Sequence, residues 1–399
     1  MLIRFFAYFY PPCIGGGEVI LQNQARELVR RGHEVHVHCT RYSNIALTET
    51  VDGGTTVEDG VHVHRHDSFV LPFSNPLEKD AVTPAFWKEA WRPADLLVAV
   101  GYPSIHLDTL LTRSRVTRTP LVVQNYVTAE FLDEILDGEG GVNKRVRSAY
   151  WKAVVSRELR ASELVIADSP SAAAGLARRL KLPNVTCHIG MAVDPAEFEA
   201  VGEEESAEAR RLLGLGDERI ILAPSRISPQ KGADLLVQAA APLLNDDTKV
   251  VIIGPVNDEE FFGKVESLAK PLGDRVVIGR LPRPLLIALM KSASVVTLPS
   301  RGETVGGVVF EGMYAGATVV VSDAVEAARD DYLRDGVNGL LFPSENIEAL
   351  RDALSRALDR EGTEEIRRVA RNDVEERFTW ERSVERLERL YKDAMEARQ

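Results

Sequence analysis

Residues 294–323, SVVTLPSRGETVGGVVFEGMYAGATVVVSD, leave few folds open. Val295 to Leu298 is an apolar, β-branched run that reads as a buried parallel strand. Pro299 and Ser300 stop it, a glycine-punctuated turn follows, and a helical stretch runs from about Val308 to Tyr314. Gly316 closes that helix and ATVVVS starts another strand. Such a unit belongs to an open α/β sheet, where ligands bind at the C-terminal ends of the strands. The loop holding Glu303 lies at such an end. Gly306 and Gly307 let a ligand approach the backbone closely. The amides of Gly306, Gly307, Val308 and Val309 are donors at a helix start, suited to phosphate or sugar oxygens. Glu303 can bind a hydroxyl or steady positive charge, and Glu311, about two helical turns on, can accept two hydrogen bonds from a diol. Spacing alone is equally compatible with two solvated surface glutamates.

The residues around the pair add to this. Pro-Ser, then Glu303, Gly306, Glu311, Gly316 and a second apolar strand resemble the Glu-x7-Glu signature of family-4 retaining glycosyltransferases of the GT-B fold. Those enzymes usually read Glu-Gly-Phe-Gly; here the run is Glu303-Thr304-Val305-Gly306. The resemblance implies that Glu303 faces a donor sugar and Glu311 holds the ribose. It also implies that the amides near 304–308, among them Thr304, Gly306, Gly307 and Val308, bind sugar hydroxyls and the distal phosphate.

With 399 residues the chain suits two domains, and a net charge of -12 argues against nucleic acid as a main partner. Three widely spaced cysteines, Cys13, Cys39 and Cys187, form no disulfide framework or zinc spacing, which points to a reducing cytosol. The start, MLIRFFAYFYPP, is interrupted by Arg4 and ended by Pro11, so it reads as a first strand rather than a signal peptide.

Gly15, Gly16 and Gly17 form a loop between that strand and a helix striped by Leu21, Ala25 and Leu28, and Glu34 to Cys39 is a second strand. A glycine-rich strand-to-helix loop suits a phosphate contact, although many such turns carry glycines for tightness alone. Gly-Gly-x-Glu followed by Arg-Gly-His-Glu-Val is similar to the N-terminal domain of the same family, which implies donor contacts at Gly16 and Gly17. His62, His64 and His66 alternate, so one strand face carries all three. A metal site there is weighed against an ordinary strand with one polar face, and the latter is preferred because no carboxylate cluster accompanies them.

Residues 95–100 and 120–123 are further buried strands. In the resembled family a His follows six residues after a Pro and touches the sugar's 6-position; counting from Pro120 puts Tyr126 there, with Asn125 beside it. The stretch 143–160 is basic and carries Tyr150 and Trp151. Such a helix can lie on an anionic membrane, which leaves a weak peripheral contact open. The acidic balance of the whole chain favours a solvated surface helix with its aromatics in the core.

PNVTCHIGMAVDPAEF resembles the segment that ends the family's first domain, with Val193, Asp194 and Phe198 in place and Ala192 where a Gly is usual. The second half opens with a strand, a loop holding Arg226 and Lys231, and a helix beginning at Gly232. Two cations at a helix start can grip a diphosphate. Ser-Arg, a gap, then Lys-Gly matches the family's second signature and implies that role for Arg226 and Lys231. A further Gly-x-Leu segment implies that the backbone beside Arg280 and Leu281 reads the nucleobase. Phe378, Trp380 and Tyr391, at helical spacing near residue 380, read as core packing.

The sequence therefore predicts an α/β GT-B chain, two Rossmann-like domains facing across a cleft. Residues 1–198 form the acceptor-side domain, 199–376 the nucleotide-sugar domain, and 377–399 a helix returning to the first. The predicted activity is retaining transfer from a nucleotide sugar, UDP- or GDP-linked, to a hydroxyl of a sugar, lipid-linked or small-molecule acceptor. No cofactor or metal is invoked, since no Asp-x-Asp motif is present and Arg226 and Lys231 supply cationic charge. The competing readings are a GT-B nucleotide-sugar epimerase or phosphorylase, and a non-catalytic nucleotide-binding module.

Overall fold

The computed structural model describes the chain except residues 14, 45, 46, 71–80, 102–105, 127, 138–141, 331 and 399, and except the side chains of 129–131 and 142–144. Two compact units divide it: Met1–Gly190 with Trp380–Gln399, and Met191–Thr379.

Strands of the first unit are β1 (Leu2–Ala7), β2 (Glu34–Thr40), β3 (Gly54–Glu58), β4 (Val61–His66), β5 (Phe69–Val70), β6 (Ala81–Val82), β7 (Leu96–Val100), β8 (Leu121–Asn125), β9 (Leu164–Ala167) and β10 (Val185–Cys187). Eight of them form one sheet in the order β10-β9-β8-β7-β1-β2-β4-β3, while β5 and β6 pair separately. All neighbours in the large sheet are parallel except β3 with β4. The central strands are near-continuous apolar runs because both faces are covered. One face takes the Gly16–Arg30 helix through Leu21, Ala25 and Leu28, and the Trp380–Glu396 helix through Val384, Leu387 and Tyr391, all of which join the core of Ile3, Phe5, Val35 and Val37. On the other face Phe6, Leu97, Leu121 and Val123 pack with Leu110, Trp151, Leu159 and Leu176.

In the second unit β11 (Arg219–Pro224), β12 (Thr248–Ile253), β13 (Val276–Gly279), β14 (Val295–Leu298), β15 (Thr318–Ser322) and β16 (Leu340–Phe342) form an all-parallel sheet in the order β13-β12-β11-β14-β15-β16. Successive strands step outward one way from β11 and the other way from β14. The reversal point therefore lies between β11 and β14, the place where such sheets leave a crevice beyond the strand ends. In the first unit the same reversal lies between β1 and β7.

Three details differ from the sequence expectations. The division before Met191 leaves residues 191–198, including part of the Pro195–Glu199 helix, with the second unit. The last helix begins at Trp380, and Phe378, taken with its core residues, instead stacks on Phe310 of the second unit at 4.2 Å. The Phe378 carbonyl accepts from the Val193 amide at 2.7 Å, and Val193 bridges to Thr379 within the same unit. Of the aromatics in 143–160, Trp151 is buried but Tyr150 is 45% exposed.

The predicted histidine row is wider than β4. His36 and His38 of β2 interleave with His62, His64 and His66, ring planes within 13° of parallel and centroids 4.5–5.5 Å apart across the strands. The ring nitrogens bond one another, His36 Nδ1 with His64 Nε2 at 2.9 Å and His38 Nδ1 with His66 Nε2 at 3.2 Å. Among the described residues no group of three or more His, Cys, Asp or Glu is arranged to hold a metal ion.

Candidate active site

The loops that follow β11 and β14 flank the reversal point of the second sheet. Beyond β11 the chain makes a short 3-10 turn, Pro229–Lys231, and enters the Ala233–Ala240 helix through Gly232. Gly232 has φ 70°, and a Cβ there would lie 2.0 Å from the Pro299 carbonyl oxygen. A side chain at 232 would therefore push the two loops apart. Beyond β14 the loop turns through Gly306 at φ 65° into the Gly307–Ala315 helix. A Cβ on Gly306 would meet the Leu298 side chain at 2.5 Å.

Lys231 and Glu303 come together here: the Lys231 ammonium donates to Glu303 Oε2. Burial, then the charge of Arg226, pushes the Lys231 ammonium down to about 8. Its ion pair with Glu303 works in the opposite direction. Arg226 itself is exposed in the loop after β11. The Glu303 segment is held by its backbone, its carbonyl accepting from the Glu326 amide at 2.9 Å and that of Thr304 from the Ala327 amide at 3.1 Å. Val305 is buried at 3% exposure, while Thr304 is half-buried.

Sequence reading missed the brace behind this pair. Arg301 forks onto Asp234, its two terminal nitrogens at 3.0 and 3.1 Å from the two carboxylate oxygens, and Asp234 is fully buried. The same guanidinium reaches Glu345 and the Pro229 carbonyl. Backbone and amide bonds, Arg301 N to Gln230 O at 2.8 Å and Gln230 Nε2 to Gly302 O at 2.8 Å, complete the splice. In sequence Arg301 is an arginine after Pro-Ser; its partner lies far upstream, and only the fold joins them.

Glu311 is likewise engaged. Arg283 donates to its Oε1 at 2.7 Å and to Glu197 Oε2 at 2.9 Å. Burial works to lower the pKa of this guanidinium, but the carboxylates of Glu311 and Glu197 outweigh it and raise it. Of the four amides expected to stand open at the helix start, that of Val309 is already used, bonded to the Gly306 carbonyl at 2.8 Å. Gly307 and Val308 are the first two helical residues, whose amides the helix cannot pair itself. The Met191 side chain presses on Gly307, where an added Cβ would lie 2.9 Å from its terminal methyl. Arg280, exposed, and Leu281, half-buried, lie beyond the end of β13 before the Arg283–Ser292 helix.

The remaining sequence candidates belong to the first unit. Gly16 begins the Gly16–Arg30 helix, and Gly17 touches Tyr126, whose ring carbon would be 3.1 Å from a Cβ there. Tyr126 donates its hydroxyl hydrogen to Gln124 Oε1 at 3.0 Å, and Gln124 Nε2 bonds the hydroxyl of Tyr391. Burial pushes the Tyr126 phenol well above its usual range. Asn125 ends β8 and is fully buried.

Two family models match the chain, "Glycosyltransferase Family 4" over residues 14–197 and "Glycosyl transferases group 1" over residues 205–377. They mark it as a group 1 glycosyltransferase of the GT-B type. An uncharacterized glycosyltransferase of Methanocaldococcus jannaschii is 29% identical over 99% of both chains. A D-inositol 3-phosphate glycosyltransferase of Kribbella flavida is 34% identical over a match that spans about half of each chain, 50% of either. Among solved structures, sucrose-phosphate synthase of Thermosynechococcus elongatus has a TM-score of 0.73 at 18% identity, covering 100% of both chains. Anabaena HepE in complex with UDP has a TM-score of 0.70 at 20% identity, covering 98% of this glycosyltransferase and 100% of its own chain. At such identities the likeness is one of fold.

Proposed function

We propose that this glycosyltransferase moves a sugar from a nucleoside diphosphate sugar to an acceptor hydroxyl with retention at the anomeric carbon. The observation that carries the reading is the meeting of Lys231 with Glu303 at the reversal point of the second sheet, with Arg226 near enough to depress the lysine. A diphosphate entering there would draw on Lys231, Arg226 and the amides of Gly307 and Val308, and on the partial positive charge of the helix start. Those groups would stabilise the charge that develops on the leaving diphosphate, so protein cations carry what a divalent ion carries elsewhere. Glu303, steadied by Lys231, would hold a sugar hydroxyl. Glu311, steadied by Arg283, would accept from the ribose diol, and the backbone beside Arg280 and Leu281 would receive the base. As the anomeric carbon–oxygen bond to the diphosphate breaks, the acceptor oxygen bonds to that carbon and its proton passes to a departing phosphate oxygen.

A UDP- or GDP-sugar fits this reading. HepE, similar in fold, is described in complex with UDP and with UDP-glucose, which supports the first. Thermal stabilisation by UDP-, GDP-, ADP- and dTDP-sugars tests the donor, and the anomeric configuration of the product by NMR tests retention. No stabilisation by any of them, or an inverted product, overturns the proposal. Glu311→Gln is expected to weaken the bare nucleoside diphosphate about tenfold, as loss of a contact made equally before and during reaction would. Glu303→Gln is expected to lower kcat instead.

A further inference from the structure

The Val142–Tyr150 helix continues through a π-helical turn, Trp151–Val155, into the Ser156–Ala161 helix, making one rod. Its inner face carries Ser148, Trp151, Val155, Ser156, Glu158 and Leu159, all buried. Its outer face carries Val146, Tyr150 and Val154, which are 62%, 45% and 38% exposed. These three stand at four-residue steps. On an α-helix each such step overshoots a full turn by about 40°. The wider π turn takes some of that overshoot back, so the three stay in one row along the rod.

Charge follows the same division. Arg145, Lys152 and Arg157 are exposed beside the row, Ala149 and Ala153 are exposed within it, and Arg160, though exposed, donates to the Leu180 carbonyl at 2.9 Å. The one acid between residues 145 and 160, Glu158, is turned inward, where burial and Asp108 push its carboxyl up to about 7. On the Ala129–Asp137 helix, which packs against the rod, Asp133 and Asp137 are ion-paired with Arg179. A basic, apolar-striped face thus stands on a chain of net charge -12.

We propose that this face, Val146, Tyr150 and Val154 bordered by Arg145, Lys152 and Arg157, docks on an anionic lipid bilayer. The three apolar side chains enter the boundary between headgroups and acyl chains, and the three cations meet lipid phosphates. A second copy of the chain is disfavoured, because a two-fold contact would set one basic face against another. No helix among the described residues is long and apolar enough to cross a membrane, so the contact proposed is with the surface.

The test uses the full chain and vesicles of phosphatidylcholine alone or mixed equally with phosphatidylglycerol. Co-sedimentation is read at about 0.1 M and about 1 M salt, where the screening length falls from about 10 Å to about 3 Å. Binding to the anionic vesicles only, released at high salt, is the expected result. The pair Val146→Asp with Val154→Asp, and separately Lys152→Glu with Arg157→Glu, are each expected to cut partitioning by about tenfold or more. Val116→Asp, a change at another exposed valine (67%), is expected to leave it unchanged. Melting curves of the variants verify folding. The proposal is overturned if folded wild-type protein ignores anionic vesicles, binds both vesicles equally, or binds as well with either pair changed. It is also overturned if the face instead supports a concentration-dependent dimer that these substitutions abolish.

Discussion

The chain contains two glycine-rich strand-to-helix turns that look alike in sequence and are built for different loads. After β1, Gly15–Gly17 opens a helix whose first turn carries an acid, Glu18, with an oxygen 2.2 Å from where a Cβ on Gly15 would sit. Gly15 itself is extended, and Gly17 backs onto the Tyr126 ring. After β14, Gly306 adopts a left-handed conformation and the loop is wired to the one after β11, which brings Lys231 to Glu303. On the function proposed above, the second turn would serve as an anion site because a neighbouring loop brings Lys231 to it. Glycines would then supply access, and charge from elsewhere in the fold the affinity.

The largest test of that contrast removes the cations. Lys231→Ala and Arg226→Ala are each expected to lower kcat/KM by about 10²–10³, the range for losing one preorganised charge contact. Near-wild-type turnover with an identified donor would reduce the second loop to the status of the first. Next is the brace: Asp234→Asn strips the charge from a fully buried partner of Arg301 and Lys264 and is expected to cost about 3 kcal/mol in urea unfolding. Full stability would mean the splice is incidental. Gly306→Ala combines a positive φ with a 2.5 Å contact and is expected to cost about 1–3 kcal/mol.

A smaller effect is expected from pH. With its ammonium lowered to about 8, Lys231 is charged below that value and neutral above it. Affinity for a bare nucleoside diphosphate, read by calorimetry, should then fall by up to about tenfold between pH 7 and 9. A flat profile would show that Lys231 keeps its proton through Glu303. The smallest change is expected from Gly17→Ala, whose Cβ meets only an aromatic edge at 3.1 Å; about 0.5 kcal/mol or less should separate it from wild type in the same urea titration.

The strands, the Gly306 turn and the two glutamates were legible because period, breakers and spacing are local properties of the chain. The partners of those residues were not. Arg301 and Asp234, or Arg283 and Glu311, read in sequence as ordinary charges, since nothing local distinguishes a solvated arginine from one forked onto a buried carboxylate. The Val309 amide looked open because counting from a helix start does not reveal the turn back to Gly306. His36 and His38 escaped notice for a related reason: alternation shows which face of a strand a residue takes, and the partner strand that stacks His64 between them comes from sheet order.

Tyr391, wholly buried in the core of the first unit with its hydroxyl bonded to Gln124 of β8, has a consequence for how the protein is made. A ribosome delivers Met1–Gly190 first, yet that segment lacks one of the helices that cover the Gly16–Arg30 face of its sheet until Trp380–Glu396 has emerged. In the middle of the chain, Met191–Thr379, the cluster from Ile221 to Ala357 is built from that unit's residues alone. That cluster is therefore expected to form before the Trp380–Glu396 helix completes the first unit, against the usual N-terminal-first order.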